Sequence, residues 1–232
     1  MKLVVINPNS TSSMTDKITA SARAVAGPQV DVIGRTAHGA PASIEGHHDE
    51  VMAAPHLLRE VAQAEAEGAD AIVIACFDDP AIGACREIAT GPVIAICEAG
   101  MMAASMVATS FSIVTTLPRS VPVIEELVRK YGQDHKCRRV RSAAIPVLAL
   151  EEPGSDARDR VRAEIMRAID EDGCEAVLLG CAGMSDLTAW LTTETGIPVI
   201  DGVTVATKLA EALVGAGLKT SKIGAYAVPN KK

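Results

Sequence analysis

GADAIVIAC at Gly68–Cys76 and GCEAVLLGC at Gly173–Cys181 are two copies of one local pattern, a glycine, an apolar run that begins at Ala71 or Ala176, and a cysteine eight residues after the glycine. Each run has strand length and is apolar throughout, which suits a strand buried on both faces of a parallel sheet. Each breaks at its cysteine, into FDDP after Cys76 and AGMS after Cys181. The repetition extends outward. TGPVIAI (Thr90–Ile96) resembles TGIPVID (Thr195–Asp201), and KLVVINPNS (Lys2–Ser10) resembles FSIVTTLPRS (Phe111–Ser120) as a strand running into polar residues. The fold class that follows is α/β, with two similar domains of parallel sheet flanked by helices and related by a pseudo-twofold axis. Ligands of such sheets bind beyond the carboxyl ends of the strands, so the two cysteines are expected on opposite walls of one interdomain cleft. The expected division is residues 1–97 for the first domain, completed by the C-terminal helix 203–232, and 98–202 for the second.

Short Val/Ile-rich runs alternate with longer stretches of helical period along the whole chain. Strands are predicted at Lys2–Ile6, Val30–Ile33, Ala71–Ala75, Val93–Ile96, Ser112–Thr115, Val140–Ile145, Ala176–Leu179 and Val199–Ile200. Helices are predicted at His47–Glu67, Arg119–Tyr131, Ser155–Asp172 and Val203–Val214, the third capped by Ser155 or Asp156.

The 232 residues suffice for one substantial core or two small ones without disulfides or metal. Hydrophobic residues are 48% and charged residues 22% of the chain, and the net charge of −7 forms no basic stripe, which argues against nucleic acid. The apolar stretch before Asn7-Pro8-Asn9 is too short for a signal-peptide core, and polar residues interrupt Pro92–Val114, so neither secretion nor a membrane span is indicated. The expected location is cytoplasmic, where six cysteines stay reduced as thiols. Cysteine and histidine spacings do not suggest a zinc site.

Cys76 and Cys181 each end a strand, enter a turn and precede a predicted helix whose N-terminus would favour a thiolate. Cys85, Cys97, Cys137 and Cys174 have no matched partner and read as small buried hydrophobes. Asn9 or Ser10 reads as a cap of the helix that follows, and Thr115-Thr116 as hydroxyl and N–H donors beside a polar ligand or as another cap. AHGAPASIEG (Ala37–Gly46) is a loop of the kind that covers a site. His47-His48-Asp49-Glu50 reads as a solvated helix start. Asp78-Asp79-Pro80 reads as the cap of the helix after Cys76, with Asp79 close enough to modulate that thiol.

INPNS, the cysteine of ACFDDP, the cysteine of LGCAGM and the strand PVIDG together resemble the hydantoin racemases, within the broader aspartate/glutamate/hydantoin racemase superfamily. The likeness covers nearly the whole chain. It implies a racemase of 5-monosubstituted hydantoins that uses no cofactor and no metal, with Cys76 and Cys181 as an acid/base pair. It also implies substrate contacts at Asn9, Ser43, Ile44, Phe77, Thr115, Thr116, Ala182 and Gly183. The expected partners are a small hydantoin and further copies of the chain in a homo-oligomer. The family's usual CFGDP reads CFDDP here. The superfamily's amino-acid racemases place Asn-Thr after the first cysteine and Thr-His after the second, whereas this chain has Phe77-Asp78 and Ala182-Gly183. Small or apolar residues suit a neutral ring with an apolar substituent. Allantoin racemisation is the nearest alternative activity. An amino-acid racemase lacks its polar pairs here, and an arylmalonate decarboxylase needs only one protonating cysteine. A two-domain small-molecule binding protein would explain the halves but not the paired cysteines.

Overall fold

In the computed structural model, which describes residues 1–152 and 154–230, the chain forms two four-stranded parallel sheets of identical strand order. The first runs β2-β1-β3-β4, with β1 at Lys2–Asn7, β2 at Asp31–Thr36, β3 at Ala71–Ile74 and β4 at Val93–Ala95. The second runs β6-β5-β7-β8, with β5 at Phe111–Thr115, β6 at Cys137–Ser142, β7 at Ala176–Leu179 and β8 at Val199–Asp201. The α-helices are α1 (Ser12–Val25), α2 (His47–Ala66), α3 (Ile82–Ile88), α4 (Ile96–Val107), α5 (Val121–Lys130), α6 (Ala157–Arg167), α7 (Thr188–Thr195) and α8 (Gly202–Gly215).

Alternation along the central strands sorts the core. Leu3, Val5 and Val73 face inward with Ile113 and Leu178 of the other sheet, while Val4, Ile6, Ile72 and Ile74 pack outward with Leu57 and Val61 of α2. Val177 and Leu179 turn the opposite way, against Val161 and Ile165 of α6. Between the sheets lie α4 and α8, which pack on one another. Helix α4 also touches β7 and β8 of the second sheet, and α8 touches β3 and β4 of the first. Their N-termini meet closely: a Cβ at Gly202 would lie 2.3 Å from the Ile96 carbonyl oxygen.

The edge strands depart from the sequence reading. β2 extends past Ile33 to Thr36, and β6 begins at Cys137 instead of Val140 and ends at Ser142. Both carry arginines that neighbouring carboxylates neutralise. Arg35 pairs with Glu60 and Glu67, and the buried Arg141 bonds Asp172, Glu164 and Glu171. The predicted 155–172 helix starts at Ala157 and passes into a π-helical turn at Ala168–Asp172. Asp156 occupies its N-cap position without a side-chain bond. The predicted 119–131 helix opens with a 3-10 turn at Pro118–Ser120. Among the described residues no helix is long and apolar enough to cross a membrane.

Candidate active site

Strand order reverses between β1 and β3, and again between β5 and β7, so the loops after these strands leave toward opposite faces and open a crevice. The loops bring Asn9, Cys76, Thr116 and Cys181 to one cavity of about 40 Å³ between the halves. Both cysteines are half-buried.

Cys76 is not at a helix N-terminus. Helix α3 begins only at Ile82, after a turn in which Asp79 (φ 45°) and Ala81 (φ 51°) are left-handed, an uncommon conformation for residues with a Cβ. Its thiol is pushed well above the usual range, first by burial and then by the Asp78 carboxylate, while the Asp78 N–H works the other way. Resting Cys76 is therefore a thiol, not the thiolate expected from helix placement.

The carboxylates beside it do not cap α3 either. Asp79 accepts from the N–H groups of Cys97 and Glu98, both at 3.0 Å, and from the Tyr131 hydroxyl at 2.9 Å. It thus caps α4 and ties the Cys76 loop to the end of α5. Burial lifts its carboxyl to about 7 despite these three donors. Asp78 is also lifted to about 7, by burial, then Glu50 and Asp79. Its Oδ2 is buried with no hydrogen-bond partner, and the residue lines the cavity.

Cys181 stands directly before a 3-10 turn at Ala182–Leu187. Gly180 before it lies so close to β5 that a Cβ there would meet Thr115 Cβ at 2.8 Å, and a Cβ at Gly183 would approach Cys181 Sγ at 3.7 Å. Glycine at 180 permits that close approach, whereas at 183 the Sγ contact would be an ordinary one and the tighter neighbours are Leu150 Cδ1 at 3.2 Å and Met14 Cε at 3.3 Å. Lys17 of α1 reaches the Leu150 and Gly183 carbonyls from the other half, at 3.2 and 3.5 Å.

Asn9, Ile44, Phe77, Thr115, Thr116, Ala182 and Gly183 all line the cavity with the two cysteines, whereas Ser43 does not and bonds Glu45 instead. Thr11, not Asn9 or Ser10, is the N-cap residue of α1; Asn9 accepts from the Thr11 N–H and donates to Met14 Sδ. The Thr115 hydroxyl donates to the Gly180 carbonyl at 2.9 Å and so ties β5 to the end of β7. Cys85, Cys97 and Cys174 are buried, but Cys137, on an edge strand, is only half-buried. Sequence reasoning missed Met14, Ile18 and Val147 as wall residues. The i, i+4 spacing of Met14 and Ile18 was the available signal for one face of α1. Among the described residues no three His, Cys, Asp or Glu side chains are arranged to hold a metal ion.

Comparison with known proteins agrees with this architecture. The chain matches the Asp/Glu/Hydantoin racemase family model over residues 3–210. It is 53% identical to the hydantoin racemase of Rhizobium meliloti, over 100% of this chain and 96% of that protein. It superposes on the allantoin racemase from Klebsiella pneumoniae with a TM-score of 0.98 at 46% identity, covering 100% of this chain and 95% of that one. The glutamate racemase of Francisella tularensis, at 17% identity and a TM-score of 0.66 over 100% of this chain and 84% of that one, shares the fold. The chain belongs to the Asp/Glu/hydantoin racemase family.

Proposed function

We propose that the protein is a cofactor-independent racemase of 5-monosubstituted hydantoins in which Cys76 and Cys181 exchange protons with C5 from opposite faces. The observation that carries this reading is the pair of thiols, one from each of the equivalent strand ends of β3 and β7, on a single small cavity. The C5 hydrogen of a hydantoin lies beside a ring carbonyl, so its removal leaves an enolate delocalised into the ring. One thiolate takes the proton: the C5–H bond breaks, an S–H bond forms, and the electron pair moves to the carbonyl oxygen. The opposite thiol then gives its proton to the other face of C5 and becomes the thiolate. Burial keeps resting Cys76 protonated, which makes it the donor in the direction that starts from a Cys181 thiolate. The roles exchange for the other enantiomer. Backbone N–H groups at Thr116 and in the Ala182–Gly183 turn are the candidates to hold the developing oxyanion.

Reduced thiols fit a cytoplasmic location. A homo-oligomer is part of the same reading, supported by the exposed apolar side chains of Val51 and Met52 on α2 and Met106 and Val107 on α4. Polarimetry on both enantiomers of 5-benzyl- and 5-isobutylhydantoin, with allantoin, aspartate and glutamate in parallel and no pyridoxal phosphate or metal added, tests the substrate class. Racemisation of free amino acids alone would overturn it.

A further inference from the structure

Each cysteine turn is held from the other half of the molecule, and by equivalent helices. α1 and α5 are the first helices of their halves, following β1 and β5. At the end of α5, the Tyr131 hydroxyl donates to Asp79 in the loop after Cys76, at 2.9 Å. From α1, Lys17 and Ser21 reach the turn after Cys181. Lys17 Nζ donates to the Leu150 carbonyl at 3.2 Å, reaches the Gly183 carbonyl at 3.5 Å and stands 3.9 Å from the Asp186 carboxylate. The Ser21 and Ser185 hydroxyls share a hydrogen bond of 2.8 Å. Gly183, Ser185 and Asp186 all belong to the 3-10 turn that follows Cys181 directly.

Met14, Lys17 and Ser21 recur at i, i+3 and i+7 and so share one face of α1. Met14 lines the cavity, and Leu150 shares a second 3-10 turn with Val147, another wall residue. Lys17 therefore bridges two pieces of the second half's wall from a helix of the first half. Its side chain is only 21% exposed, so the stem is packed and the ammonium is fixed against the turn. Racemisation needs both sulfurs within reach of one carbon from opposite faces. Since the two belong to different halves, their spacing is only as fixed as the contacts between the halves. A misplacement of about 1 Å costs on the order of 10²-fold in rate.

We infer that Lys17, seconded by Ser21, is the positioning residue for Cys181, holding its turn against the first half so that this sulfur meets the face of C5 opposite Cys76. This rests on the two-cysteine reading above and adds to it a clasp that serves one face alone. Loosening the clasp displaces Cys181 and leaves the Cys76 loop held through Asp79. When the C5–H of the substrate faces Cys76, the Cys76 thiolate still breaks that bond and forms S–H. In heavy water the S–H proton exchanges for deuterium. The sulfur then returns a deuteron to the same face, where the electron pair of the enolate re-forms the bond to C5. The other enantiomer presents its C5–H to the displaced sulfur, and both its exchange and its inversion slow.

The test follows both enantiomers of 5-benzylhydantoin in heavy water, by NMR for C5–H exchange and by polarimetry for inversion. It uses wild type, Lys17→Met, Lys17→Arg, Ser21→Ala, Cys76→Ser and Cys181→Ser, with circular dichroism to confirm folding. Lys17→Met keeps an apolar stem of similar length and should racemise at least about tenfold more slowly than wild type. It should still exchange, with retention, the same enantiomer that Cys181→Ser exchanges. Lys17→Arg still donates to the carbonyls and should restore most of the racemisation. Ser21→Ala should show the same bias at smaller size, and it carries the test if Lys17→Met does not fold. Racemisation near the wild-type rate in folded Lys17→Met, or equal losses of exchange in the two enantiomers, overturns the assignment. Lys17 is then a stability contact, and the two-cysteine reading stands. If Cys76→Ser and Cys181→Ser do not favour opposite enantiomers, the two fall together.

Discussion

The turns that carry Cys76 and Cys181 start from equivalent strands, yet they treat the neighbouring helix differently. Aligning Pro92 with Pro198 matches Cys97 and Glu98, at the start of α4, to Val203 and Thr204, at the start of α8. Both helices leave N–H groups without partners inside the helix. In the second half Asp201, the residue immediately before α8, caps its own helix through Val203 and Thr204, at 3.0 and 2.8 Å. In the first half Ala95 stands at the matching position, and the cap comes from Asp79 on the Cys76 loop. The loop must adopt left-handed φ at Asp79 and Ala81 to supply it, a strain of about 1–3 kcal/mol per residue. The difference teaches that one half uses its Cys76 loop as a structural junction, while the other caps its helix locally and lets the loop continue into a 3-10 turn.

The severest way to break the comparison is to exchange each cysteine. Cys76→Ser and Cys181→Ser should each abolish racemisation, a loss of at least about 10²–10⁴-fold by the usual worth of a general acid or base. Each should still exchange C5–H for deuterium with retention in one enantiomer, the two variants preferring opposite ones. NMR in heavy water reads this, and a folded variant that racemises at near wild-type rate would refute the two-base assignment. The next effect separates the two caps. Asp79→Ala should lower kcat more than about tenfold and also lower Tm, because Cys76 loses its ties to α4 and Tyr131. Asp201→Ala should cost about 1 kcal/mol of stability with activity nearly intact. Equal kinetic losses in the two variants would erase the distinction.

A third measurement uses pH. The folded-state carboxyl of Asp78, at about 7, lies above its ordinary 3.8, so the folded chain binds this proton more tightly than the unfolded chain. Its contribution to stability is therefore fully present below about pH 4 and is lost as pH rises toward 7. Denaturation of Asp78→Asn against wild type should show a gain for the variant of roughly a few kcal/mol at pH 8, shrinking to nothing near pH 4. A pH-independent difference would mean that Asp78 is not so perturbed. The smallest effect belongs to Tyr131→Phe, which removes one of the three donors to Asp79 and should cost about 1 kcal/mol in urea denaturation.

The central strands were legible because their burial on both faces forces continuous apolar runs, as AIVI and AVLL show. The edge strands were not, since Arg35 and Arg141 look like solvated residues until the carboxylates of distant segments surround them. At the site, the repeated cysteines could be read from their matched positions. The partners of Asp79 could not: capping rules look a few residues ahead, and its amide donors stand 18 and 19 residues away. Nor could the sequence show that Asp78 comes to line the cavity with its Oδ2 buried and unpaired.

The crossed helices between the sheets bear on how the chain comes to be folded at all. The last helix of each half, α4 or α8, rests on the sheet of the other half, and at Gly202 their backbones touch with no space for a Cβ. Each repeat covers only part of its inner sheet face with its own helix, α1 or α5, and relies on the other half for the rest, so the duplicated unit is not a self-sufficient folding unit. Unfolding should be a single cooperative transition despite the two sheets. Cut in the loop between α4 and β5, the fragments should each stay largely unstructured alone and recover the native fold only when mixed.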